Sequence, residues 1–131
     1  MATMLRVWFV LSVATLAISV APSRVNAQTC DITDPTGSPK ETWVALNTQA
    51  ISFTHSGGFS YHDVIITDMN TGVQEFYMRY LSHTANVVNH TITVPSVVQG
   101  STQPCLLEVK QYDVMGNIVA EDSVELNIFT N

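Results

Sequence analysis

Positive charge is scarce in this sequence. Only five of its 131 residues are Lys or Arg, and two of those, Arg6 and Arg24, precede the first acidic residue. From residue 28 onward the cations are Lys40, Arg79 and Lys110. Eleven Asp and Glu stand against these three, which leaves −8 with the histidines neutral. A surface of that sign repels phosphate backbones and anionic lipid, so nucleic acid is excluded as a natural partner. Cysteine is almost as scarce, at two residues, too few for a multiply bridged scaffold, and neither has partners nearby at zinc-ligand spacing. There is no G-x-S-x-G elbow, no low-complexity tract, no polybasic run and no convincing helical period. These gaps remove the commonest signatures of hydrolases, membrane-surface proteins and helical bundles.

The longest uncharged apolar run, residues 7–21, is about 15 residues, short of the roughly 20 that a bilayer span requires. Arg6 precedes it and Pro22 breaks it. Val25 and Ala27 put small residues at −3 and −1 of a cleavage point. Residues 1–27 therefore read as a cleaved secretory signal peptide, and 28–131 as one secreted domain starting at Gln28. The C-terminal stretch 124–131 has a strand-like pattern and no lipid-anchor signal. The expectation is a released, extracellular protein with no membrane anchor after signal cleavage. In an oxidising compartment the lone pair Cys30 and Cys105 is expected to form one disulfide. It would close a loop of about 75 residues and stabilise the fold by about 4–5 kcal/mol on a chain-entropy argument. Asn89-His90-Thr91 is the single N-glycosylation sequon, which makes Asn89 a candidate glycan site.

After residue 28, turn residues punctuate segments that alternate apolar and polar with period two. The reading places strands over 30–33, 50–54, 61–68, 75–81, 87–94, 105–112 and 123–129. Residues 43–46 are taken as the continuation of the first strand after the Pro35–Pro39 break. About seven short strands in roughly 100 residues predict an all-β fold: an antiparallel β-sandwich of immunoglobulin-like or fibronectin III-like kind. One apolar face per sheet demands a second sheet over it. A bridge from the first strand to the sixth is not the immunoglobulin pin. Gln103 also stands where the tyrosine two residues before the second cysteine would be.

Ile32-Thr33-Asp34-Pro35, then Trp43, then Ile51-Ser52-Phe53, with the later Thr91-Ile92-Thr93-Val94-Pro95 and Val124-Glu125-Leu126-Asn127-Ile128, form a loose pattern. It resembles the fungal Ser/Thr-rich glycosylphosphatidylinositol-anchored membrane family. That family's Ig-like domain is related to the N-terminal domain of yeast cell-wall β-1,6-glucan assembly proteins. The resemblance implies a fungal extracellular or cell-wall protein of that fold, and it brings no catalytic residues. The chain departs from the family in having Phe53 where Trp is common, and in lacking the Ser/Thr-rich stalk and the anchor signal.

Two groups of side chains are candidates for chemistry. His55 and His62 flank the Gly57-Gly58 turn with Asp63 adjacent, the arrangement a small secreted metalloprotein or enzyme would use. Their spacing matches no dedicated motif, so no metal, cofactor or catalytic residue is assigned. Trp43, Tyr61 and Tyr77 are candidate ligand-binding aromatics, because flat exposed rings stack on sugars and anchor protein partners. On the strand over 75–81, Phe76, Met78 and Tyr80 share one face and Tyr77 takes the other. The expected function is a non-enzymatic secreted binding or structural module, associated with a fungal cell wall or extracellular matrix. Its partner would be a wall polysaccharide or an extracellular protein. An effector-like protein that binds a partner protein is the alternative, beside the metalloprotein.

Overall fold

The structure, a computed structural model, describes residues 28–81 and 85–131. The signal-peptide reading of 1–27 lies outside the described residues. Eight strands follow one another: β1 (Thr29–Asp34), β2 (Thr42–Val44), β3 (Thr48–Ser56), β4 (Tyr61–Asp68), β5 (Gln74–Leu81), β6 (Val87–Thr93), β7 (Ser101–Tyr112) and β8 (Ile118–Thr130). They form a three-stranded sheet in the order β1-β3-β6 and a five-stranded sheet in the order β2-β8-β7-β4-β5. All pairings are antiparallel except β2 with β8. The fold is all-β and sandwich-like, as the alternation requires.

Each sheet contributes one apolar face. From the five-stranded sheet, Val64 and Ile66 on β4, Leu107 and Val109 on β7, and Leu126 and Ile128 on β8 have no exposed surface. From the three-stranded sheet, Ile51, Phe53, Val88 and Ile92 meet them. Burying such side chains is worth about 1.5–3 kcal/mol each, and neither sheet could keep its face in water alone. Asp122 on β8 helps join the layers: its carboxylate accepts the Ile32 amide of β1 at 2.7 Å. Gly37 lets the connecting loop lie against β8. Its φ is +75°, and a Cβ there would sit 2.8 Å from Val124 Cγ1.

Two strand readings need correction. Residues 43–46 do not continue the first strand. The loop through Pro35 and Pro39 carries the chain from one sheet to the other, where β2 pairs in parallel with β8, Trp43 beside Ile128. That adds the eighth strand. Strand β7 also begins at Ser101, ahead of Pro104, although proline is a poor fit in a central strand. Pro104 is tolerated because its carbonyl side faces the point where β4 has ended. Met69 donates its amide to the Pro104 carbonyl there, and no ladder partner needs the missing N–H.

The expected disulfide is also corrected: Cys30 and Cys105 are free thiols. The register explains why. From β1 to β2 the chain tracks along β8, Ile32 bonding Asp122, Lys40 pairing with Glu125, and the Asn127 amide bonding the Glu41 carbonyl. Cys30 therefore lies level with Asp122 or beyond it. Cys105 is paired with Leu126, four residues further along the strand. At the usual strand rise that is about 13 Å, roughly twice the reach of a bridge between Cα atoms. Burial raises both thiols, Cys30 to about 12 with Asp122 and Asp31 adding to it, and Cys105 to about 11 with Asp68 and Glu75 adding. Both stay protonated at neutral pH, and neither is an activated nucleophile.

Two outcomes are expected. Phe53→Ala, in the middle of the layer, costs about 3–5 kcal/mol in urea unfolding, since its ring has no exposed surface to relax into. Thiol titration of the protein unfolded without reductant finds both cysteines reactive; a bridged protein would titrate neither.

Candidate functional site

The outer face of the five-stranded sheet carries an organised aromatic cluster. Strand alternation turns Tyr61, Asp63 and Ile65 of β4 away from the core, and the hairpin register places Asp63 opposite Arg79 and Ile65 opposite Tyr77 of β5. On the other side of β4, Tyr61 faces Tyr112 of β7. The Tyr61 and Tyr112 rings stack with centroids 4.9 Å apart and planes 16° apart. The guanidinium of Arg79 lies 4.3 Å from the Tyr61 centroid and 5.7 Å from that of Tyr112.

Asp63 holds this arrangement. Its carboxylate is 2% exposed and accepts Arg79 Nε at 2.8 Å, Arg79 Nη2 at 2.9 Å and the Tyr77 hydroxyl at 3.2 Å. The Arg79 hydrogen bonds keep the Asp63 carboxyl below its ordinary range, against the opposing effect of burial. The same pair holds the Arg79 guanidinium charged. Burial and the bond to Asp63 raise the Tyr77 phenol, so it remains a donor. Beside the cluster, the β7–β8 hairpin closes on Asp113. Its carboxylate accepts the amides of Met115 and Asn117, and the tip residues Val114 and Met115 stand in solvent.

Of the three candidate aromatics, the structure unites two. Tyr61 and Tyr77 belong to this cluster. Trp43 does not: it is 3% exposed, packed in the core at the β2–β8 pairing, with its indole N–H on Glu41 at 3.0 Å. Arg79 and Tyr112 were missed as site residues. Arg79 was accessible in principle, because pairing the 61–68 and 75–81 strands through a turn at 69–72 puts it near Asp63. The approach of Tyr112 depends on which strand flanks β4 on its other side.

The histidine arrangement also needs correction. His62 faces the core and is fully buried, while Asp63, one residue on, faces out and is bonded to Arg79. His55 and His62 are kept apart by Phe59, whose ring packs edge-on against each. His55 bonds the Ala85 carbonyl at 2.6 Å. His62 instead meets His90 of β6, Nε2 to Nε2 at 2.8 Å, and Tyr80 stacks on His90. Among the described residues, no group of three or more His, Cys, Asp or Glu is placed to hold a metal ion. Two shallow clefts flank β8. One of about 240 Å³ is lined by Glu108, Glu121, Asp122 and Ser123; the other, about 340 Å³, by Ser123 and the loop over 36–38 with Val124 and Glu125. Among the described residues, no histidine lines either cleft beside Ser123.

A carboxylate lowered in the folded state stabilises the protein above its unfolded value, about 3.9, and that stability is lost as pH falls through the folded value. Asp63 therefore contributes at neutral pH, and the contribution disappears below the ordinary aspartate range. In Asp63→Asn the urea midpoint at pH 7 falls, and the acid limb of the stability–pH profile becomes shallower than in the parent. Identical acid limbs would show that Asp63 is not the group responsible.

No family model matches this chain, and no curated protein matches it either.

Proposed function

We propose that this protein is a non-enzymatic, secreted binding module that engages an extracellular partner on the outer face of its five-stranded sheet. One observation carries the reading: the rings of Tyr61, Tyr77 and Tyr112 gathered around Arg79, which the buried Asp63 fixes in place. Tyrosine and arginine held rigid on a sheet are the side chains that bind with little entropic loss. The cluster's one ion pair is already satisfied internally, so a partner need not neutralise it.

The resemblance to the fungal anchored family adds an immunoglobulin-like character for the sandwich and a cell wall as the place of action, with wall polysaccharide as the first partner to test. Tyr77 is the member best placed to stack on a sugar. Its ring is 45% exposed and pinned through its hydroxyl, whereas Arg79 and Tyr112 crowd Tyr61. A protein partner, the effector-like reading, is favoured by the Val114–Met115 tip, which a glycan would have no use for.

Retention of the secreted protein on insoluble β-glucan, chitin and mannan separates the two. Under the polysaccharide reading at least one matrix retains it, Tyr77→Ala reduces retention about tenfold or more, the equivalent of about 1.4 kcal/mol, and Met115→Ser has no effect. Passage through all three matrices without retention ends the polysaccharide reading and leaves the protein partner.

A further inference from the structure

The two outer faces of this sandwich differ in kind. The five-stranded face carries rings and charge, whereas the three-stranded face is a field of short side chains. On β3 the outward residues include Ala50, Ser52 and Thr54, and on β6 they are Val87, Asn89, Thr91 and Thr93. Their cross-strand partners follow the same alternation, Thr54 beside Val87, Ser52 beside Asn89 and Ala50 beside Thr91. No bulky ring or long side chain stands over Asn89 from either strand.

We propose that Asn89 carries an N-linked glycan, and that the sugar lies over Val87 and covers the three-stranded face. This rests on the reading that the chain is exported, because the donor sugar is met only in the secretory pathway. Three features of the strand place the acceptor. Asn89 and Thr91 are both exposed on the same outward side. Between them, His90 turns inward, where Tyr80 stacks on it with centroids 3.7 Å apart and His62 meets it at 2.8 Å. The middle residue of the sequon thus anchors the strand and commits its neighbours to solvent. Finally, the Ser52 hydroxyl bonds Asn89 through the amide oxygen, which leaves Nδ2, the atom that is modified, uncommitted among the described residues.

The chemistry is a transfer from a lipid-linked oligosaccharide diphosphate. The bond from sugar C1 to the diphosphate oxygen breaks and the bond from C1 to Asn89 Nδ2 forms. The amide nitrogen loses one proton, and the lipid diphosphate departs. Once attached, the first sugar lies within reach of the side chains two residues before and after Asn89 on the same strand face. Val87 is one of them. It is a branched apolar side chain left 50% exposed on a face otherwise made of Ser, Thr, Asn and Ala, and the C–H face of a pyranose is a fitting cover for it. β6 is also one of the two edge strands of its sheet, β1 being the other. A glycan rooted there hinders strand addition at that edge and leaves the five-stranded face as the bare surface.

The test expresses the full chain in a eukaryotic host that secretes it, and analyses the product by intact mass and peptide mapping. The expected result is a mass above that of the polypeptide. Peptide N-glycosidase removes the excess and converts Asn89 to aspartate, and Asn89→Gln abolishes it. The glycosylated protein should also melt at a higher temperature than its enzymatically deglycosylated form, and Val87→Ser should narrow that gap by half or more. A secreted product with unmodified Asn89 overturns the proposal while the export reading stands. A product retained inside the cell and unmodified overturns both. A glycan whose effect on melting is unchanged by Val87→Ser overturns the covering of that face.

Discussion

Two sheets, each apolar on one side only, have to close on each other, and the rest of the molecule is arranged around that requirement. The inner rows of β4, β7 and β8 and those of β3 and β6 form one dry layer with Phe53 near its middle. The sheets are unequal, five strands against three. The smaller cannot cover the larger from edge to edge. Met78, on the inner side of the edge strand β5, is consequently left 46% exposed even though its alternation points it toward the core. At the opposite side, Asp122 reaches from β8 to the edge strand β1, so that closure is completed by a polar contact.

The same economy governs the outer face of the large sheet. A carboxylate as enclosed as that of Asp63 is costly unless it is paired and hydrogen-bonded. Arg79 supplies two bonds and Tyr77 a third. In doing so they lose their freedom, and the guanidinium is set against the stacked rings of Tyr61 and Tyr112. A charge that must be satisfied thus becomes the reason that a group of exposed aromatics is rigid. The opposite face, lined by Ser, Thr and Ala around Asn89, has no comparable organiser. The molecule is chemically two-sided in consequence.

The alternation of Val, Ile, Leu and Phe determined the strand class, most strand positions and the face on which each side chain stands. Val64 and Ile66 in, Asp63 and Ile65 out, and Tyr77 opposed to Phe76, Met78 and Tyr80 all follow from a backbone whose side chains change sides at every residue. That signal is local and survives in a single chain. It also separates Asp63 from His62, so the metal arrangement could have been set aside on parity alone.

Which strand lies beside which was decided only by the tertiary structure, because a period of two carries no information about neighbours. The passage of residues 35–40 from one sheet to the other made β2 a parallel partner of β8, buried Trp43 and set Cys30 out of reach of Cys105. The meeting of β4 with β7 brought Tyr112 to Tyr61, and the layering of β6 over β4 and β5 brought His90 to His62 and Tyr80. These are contacts between residues from 10 positions apart, for Tyr80 and His90, to 85, for Trp43 and Ile128. Their geometry is fixed by how two unequal sheets pack over a shared interior, and no stretch of sequence encodes that by itself.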